Sequence, residues 1–149
     1  MKAIVCDRYG PPEQLQVRDV PVPVPKEHQV LVRVHATTVN DYDWSMVTGD
    51  PGIYKLIFGL TRPRRPIRGM ELAGVVEALG RKATKWRVGD AVYGDTSNGG
   101  PGTFAEFVAV PESELRSMPD GLSFVEAAAI PHALELAYQA VVQIGKLKD

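Results

Sequence analysis

The stretch QVLVRVHATT, residues 29–38, sets Val30, Val32 and Val34 on one side of an extended chain and Leu31, Arg33 and His35 on the other. Successive side chains of a strand point to opposite faces, so the alternation predicts a β-strand with one fully apolar face. Short apolar runs punctuated by proline or glycine continue in both directions. Upstream, residues 3–6 and 15–20 are strand candidates. They are followed by PVPVP at residues 21–25, whose prolines lack N–H groups and belong on a sheet edge or in an extended connection. Downstream, LAGVVEAL at 72–79 reads as a strand bracketed by Gly69 and Gly80, with Gly74 marking a bulge or a close backbone approach. Residues 85–90 form a turn, 91–93 a short strand and 97–102 a flexible loop, and TFAEFVAV at 103–110 is a further strand stopped by Pro111. This is the punctuation of an irregular β domain with short helices, not of a parallel sheet with crossover helices. Val30, Val32, Val34, Val76, Phe107 and Val108 are its expected buried residues.

Between the strands, Asn40 offers an N-cap and Asp43 places a carboxylate in the first turn, where the helix dipole favours negative charge. A helix over residues 41–47, closed at Gly49, follows from that pair. IYKLIFGL at 53–60 is apolar but short, and strand and helix both remain open there. TRPRRPIRG at 61–69 reads as an exposed loop. Ser123 and Glu126 have the spacing of a capping box, and Pro131 breaks or kinks the alanine-rich helix that follows. Ala133, Ala137, Ala140, Val141 and Ile144 recur at helical offsets, which predicts a second helix over 132–144 with Gly145 as its cap.

Composition narrows the function classes. With 149 residues, 44% of them hydrophobic and 23% charged, the chain has the make-up of one globular domain able to bury its own core. Cys6 is its one cysteine, which excludes an intramolecular disulfide, a four-cysteine zinc lobe and a CxxC redox pair. The 17 Lys and Arg balance 18 Asp and Glu, so nothing in the charge recruits nucleic acid or an anionic membrane. No 18-residue apolar run and no signal-like N-terminus occur, and a cytoplasmic protein is expected.

Three stretches taken in order carry a resemblance: VNDYDWSMVTG at 39–49; PIRGMELAGVVEALG at 66–80 with WRVGDAVYG at 86–94; and FAEFVAVP with LSFVEAAAIPHALELAYQAV, down to residue 142. The chain resembles the N-terminal GroES-like catalytic domain of the medium-chain dehydrogenase/reductase superfamily, and within it the zinc-free quinone oxidoreductase branch. The resemblance implies a bent antiparallel β-barrel domain over residues 1–122. A helical connection over 123–149 would lead toward a Rossmann domain. That domain lies beyond these residues in the family, so the chain reads as a fragment or a truncated product. It also implies hydride transfer from NADP(H) or NAD(H), held mainly by the Rossmann domain, to a small quinone or enone. A homodimer is expected of the complete protein. A non-catalytic GroES-like binding or assembly module is the alternative.

In the zinc-dependent branch the positions of Asn40 and Met70 hold a cysteine and a histidine that bind the catalytic metal. Asparagine and a thioether do not rebuild a tetrahedral zinc site, so no zinc is expected. Asn40 is the candidate cofactor-binding residue, because a side-chain amide donates and accepts and suits a carboxamide or a substrate carbonyl. A plain N-cap is the competing role. Tyr42, Trp44, Tyr54 and Met70 are candidates for the substrate wall, against a purely structural reading as core. Glu71 and Asp43 remain as carboxylates near this pocket, read first as turn caps and arginine partners. Leu136 stands where the family commonly has a cofactor-facing threonine. Arg62, Arg64, Arg65 and Arg68 read first as a solvated loop, with phosphate binding as the alternative. The three histidines, without partners at ligand or triad spacing, are structural by default. No G-x-G-x-x-G occurs anywhere.

Overall fold

The computed structural model describes residues 1–98 and 102–147. Among these residues seven strands form two antiparallel sheets: β1 (Lys2–Val5), β2 (Gln16–Asp19), β3 (Gln29–Ala36), β4 (Glu71–Leu79), β5 (Ala91–Asp95), β6 (Phe107–Pro111) and β7 (Leu115–Ser117). β1 and β2 pair alone, and the larger sheet runs in the order β6-β3-β4-β5-β7. Single-residue bridges, Ala3 to Ala105 and Val5 to Ile67, tie the small sheet to the segments around the large one. The strand at residue 29 is therefore an interior strand of the large sheet, hydrogen-bonded to β4 on one side and β6 on the other.

Its valines do what their spacing predicts. Val30 and Val32 are fully buried and pack with Leu72, Val76, Trp86, Val92, Val108, Val110 and Leu115. Trp86 joins that apolar cluster with its one donor satisfied, its Nε1–H reaching the Glu112 carbonyl at 2.9 Å. Val34 and Phe107 are only half-buried, contrary to expectation. Val34 lies where the β3–β4 register slips, opposite Gly74. Phe107 lies on the edge strand beneath the Arg33 guanidinium, 5.1 Å away. At Gly74 the close approach is real, since a Cβ there would collide with the Arg33 carbonyl.

Among the described residues there are also four α-helices: α1 (Asp41–Thr48), α2 (Ile53–Phe58), α3 (Phe124–Ala128) and α4 (Pro131–Tyr138), the last running on into wider turns over Gln139–Ile144. The apolar segment left open between strand and helix is thus the helix α2. The alanine-rich helix α3 ends before Pro131 as expected, and Pro131 itself opens α4, because the first helical position has no N–H to bond in any case. Ala127 and Ala128 of α3 bury themselves against Ala73, but Leu134, Leu136, Val141 and Ile144 are exposed. The helical periodicity was sound, yet among the described residues nothing covers that face.

Three further expectations are corrected. The strand read at 103–110 starts at Phe107, because residues 103–106 turn away to meet β1, with the Lys2 N–H donating to Glu106 Oε2 at 2.7 Å. β7 was missed, being three residues long. Arg68, placed in the exposed loop, is 1% exposed and lies under that loop. The loop expected at 97–102 includes residues 99–101, which lie outside the described residues.

Candidate functional site

Asn40 caps α1 as predicted. Its Oδ1 accepts from the Asp43 N–H at 3.0 Å, and Asp43 Oδ2 accepts from the Asn40 N–H at 3.2 Å. Gly49 closes the helix in the left-handed conformation at φ 71°. The cap is only half of what Asn40 does, because its Nδ2 also donates to Glu71 Oε2 at 3.2 Å.

Glu71, the first residue of β4, is 3% exposed. Its carboxylate also accepts from the Thr38 hydroxyl, and its Oε1 from the His132 backbone N–H at 2.8 Å. The His132 ring in turn meets Asp95 at the end of β5, Nδ1 to Oδ2 at 3.3 Å. One polar network therefore ties together the start of α1, the start of β4, the end of β5 and the start of α4. Asp43 caps its helix as first read, but among the described residues neither Asp43 nor Glu71 makes an ion pair with an arginine.

Asp43 is 1% exposed, and its Oδ1 has no hydrogen-bond partner among the described residues. Burial pushes its pKa up to about 6, and the charge of Glu71 adds to that, while the Asn40 and Gly69 amides and His132 pull against it. The Tyr42 hydroxyl is likewise raised, first by burial and then by Tyr54 and Asp95.

The aromatic candidates separate into two places. Tyr42 and Tyr54 meet edge to face at 5.4 Å, and Phe58 stacks on Tyr54 with centroids 6.0 Å apart, so α1 and α2 together build one aromatic wall near Asp95. Trp44, two residues on, faces elsewhere. It is 55% exposed and lines an apolar pocket of about 220 Å³ with Leu15, Val47 and Phe104. Met70 is 2% exposed and enclosed, its carbonyl taken by the N–H and hydroxyl of Thr96 at 2.7 and 2.8 Å. Leu136 is exposed on α4.

Sequence reading missed His132 and Asp95 as partners. They are 37 positions apart on elements whose contact only the fold creates. Among the described residues no group of three His, Cys, Asp or Glu is disposed to hold a metal ion.

The model of the alcohol dehydrogenase GroES-like domain matches residues 26–120 of this chain. A human quinone oxidoreductase is 33% identical over 99% of the chain, and a 2-methylene-furan-3-one reductase of Solanum lycopersicum is 36% identical over 97%. The chain spans 43% and 38% of those two proteins. The structure of the quinone oxidoreductase from Coxiella burnetii superposes with a TM-score of 0.86 at 32% identity, covering 96% of this chain and 44% of that one.

Proposed function

The chain belongs to the alcohol dehydrogenase GroES-like domain family of the medium-chain dehydrogenase/reductase superfamily, and from that premise we propose that it forms the substrate side of a zinc-independent, NAD(P)H-dependent reductase of quinones or enones. The observation that carries the reading is the state of the Asn40 amide. Asp43 and Glu71 fix which way it faces, and they use one lone pair and one N–H. One N–H and one lone pair are left on a half-exposed side chain. Such an amide, held in place before any ligand arrives, suits a nicotinamide carboxamide or the carbonyl of a quinone. The wall of Tyr42, Tyr54 and Phe58 suits the face of a flat conjugated ring.

Bound reduced nicotinamide supplies a hydride to an electron-poor double bond. The chain's own residues then hold the acceptor: Asn40 donates to the carbonyl oxygen, where negative charge collects, and the aromatic wall keeps water from that face. Asparagine and methionine at positions 40 and 70 offer neither thiolate nor imidazole, so polarisation falls to the amide donor.

The test is NADPH oxidation by the protein expressed from its native reading frame, with a para-quinone and an enone as acceptors. Quinone- or enone-dependent turnover without added zinc supports the reading. No turnover with either acceptor overturns it and leaves the non-catalytic module.

A further inference from the structure

The arginine-rich loop between α2 and β4 borders the site above, and its exposed arginines Arg62 and Arg64 lie on a backbone that is held firmly. Gly59 lies at φ 126°, and a Cβ there would collide with the Arg62 carbonyl, so the chain can fold back over the end of α2 only with glycine at this position. Three further contacts pin the loop. The Arg64 N–H donates to the Phe58 carbonyl at 2.8 Å, the Tyr9 hydroxyl to the Gly59 carbonyl at 2.8 Å, and the Cys6 N–H to the Pro66 carbonyl at 2.8 Å.

Arg62, Arg64, Arg65 and Arg68 fall within seven residues. Arg62 and Arg64 line a cavity of about 480 Å³ with Pro63, Pro66 and Asp7. Asp7 is the one carboxylate of that lining, and it is already paired with Arg18. Beneath the loop Arg68 is 1% exposed, and its Nε and Nη2 have no hydrogen-bond partner among the described residues. Its guanidinium lies 5.9 Å from the Phe58 ring and close enough to Cys6 to act on the thiol electrostatically. A buried guanidinium with unmade hydrogen bonds is costly, and a nearby negative charge offsets that cost.

We propose that this loop is a binding site for a small phosphate-type anion, separate from the redox site and independent of the reading given for it. Guanidinium groups bind phosphate oxygens in pairs, which suits Arg62 and Arg64 at the mouth. The long-range field of Arg68 adds to them from below. The walls are two prolines on a pinned backbone, so little ordering is needed on binding. A cavity of this size takes phosphate or diphosphate as a free anion.

The test is an ¹H–¹⁵N NMR titration of this chain with inorganic phosphate and then pyrophosphate, with chloride holding the ionic strength constant. Saturable shifts confined to the amides around residues 6–8 and 59–68 are expected. The double variant Arg62→Gln/Arg64→Gln, changed only at exposed positions, should keep its fold and bind about tenfold more weakly or worse. Equal affinity in that variant, shifts elsewhere, or a response no larger than that to chloride would each overturn the site. Vesicles of phosphatidic acid in phosphatidylcholine form the second arm. No co-sedimentation is expected. Arginine-dependent co-sedimentation without a response to phosphate would make this a membrane contact and refute the free-anion site.

Discussion

The side-chain amide of Asn40 donates to the buried carboxylate of Glu71 at 3.2 Å while its oxygen caps α1. One residue thus joins the helix to the central sheet, and its orientation is set by both. An aspartate at position 40 would still cap, but it would turn a carboxylate toward Glu71, so the usual exchange between these two caps is unfavourable here.

Glu71→Gln tests the network from the other end. A carboxylate accepts from all three of its donors, whereas an amide must turn its NH₂ toward one of them. The variant should lose about 1–3 kcal/mol, the cost of a buried group left unsatisfied. Urea unfolding followed by circular dichroism measures this, and a loss under about 0.5 kcal/mol would detach Glu71 from the network.

Asp43 makes stability depend on pH in an unusual direction. Its folded pKa, about 6, is raised above the unfolded value, so the protonated form favours folding. That contribution is complete below about pH 4, is lost as pH rises through about 6, and amounts to about 3 kcal/mol. Asp43→Asn removes it. The stability of the variant relative to wild type should therefore climb between pH 4 and pH 7, as read from urea unfolding at several pH values; a flat difference contradicts the assignment.

Gly74→Ala should cost more than about 2 kcal/mol, because the new methyl meets the backbone carbonyl of Arg33 on the paired strand β3. Thermal unfolding is the check. A melting temperature within a degree or two of wild type would show that the strands can part there.

Much of this was legible beforehand where the signal is local. The alternation at residues 29–36, the Asn40 and Ser123 capping boxes and the Gly49 cap each depend on residues within one turn or one strand, and each is found. The fold class and the close approach at Gly74 followed from the same kind of signal. What failed was non-local. Arg68 looked solvated among arginines and prolines, and only the tertiary fold brings Cys6 and Phe58 against it. His132 on α4 lacked a nearby partner in sequence, because Asp95 arrives from the end of β5. The apolar offsets of 133–144 predicted a helix correctly, but periodicity does not say which surface covers it.

Calorimetric titration of the 149-residue chain with NADPH should show no micromolar binding. No glycine-rich strand-to-helix turn that would cradle the pyrophosphate occurs in its sequence. Binding at that strength would place a dinucleotide site within these residues.

The role of Asn40 is most directly tested by comparing Asn40→Ser with Asn40→Ala in the protein expressed from its native reading frame. Serine keeps the helix cap but loses the bond to Glu71, and alanine loses both, so serine should be destabilised by about 1 kcal/mol and alanine by about 1 kcal/mol more. If the amide holds the nicotinamide or the acceptor carbonyl, kcat/KM for quinone-dependent NADPH oxidation should fall roughly ten- to hundredfold in both variants. Full activity in Asn40→Ser would reduce Asn40 to a cap and contradict the account of the site.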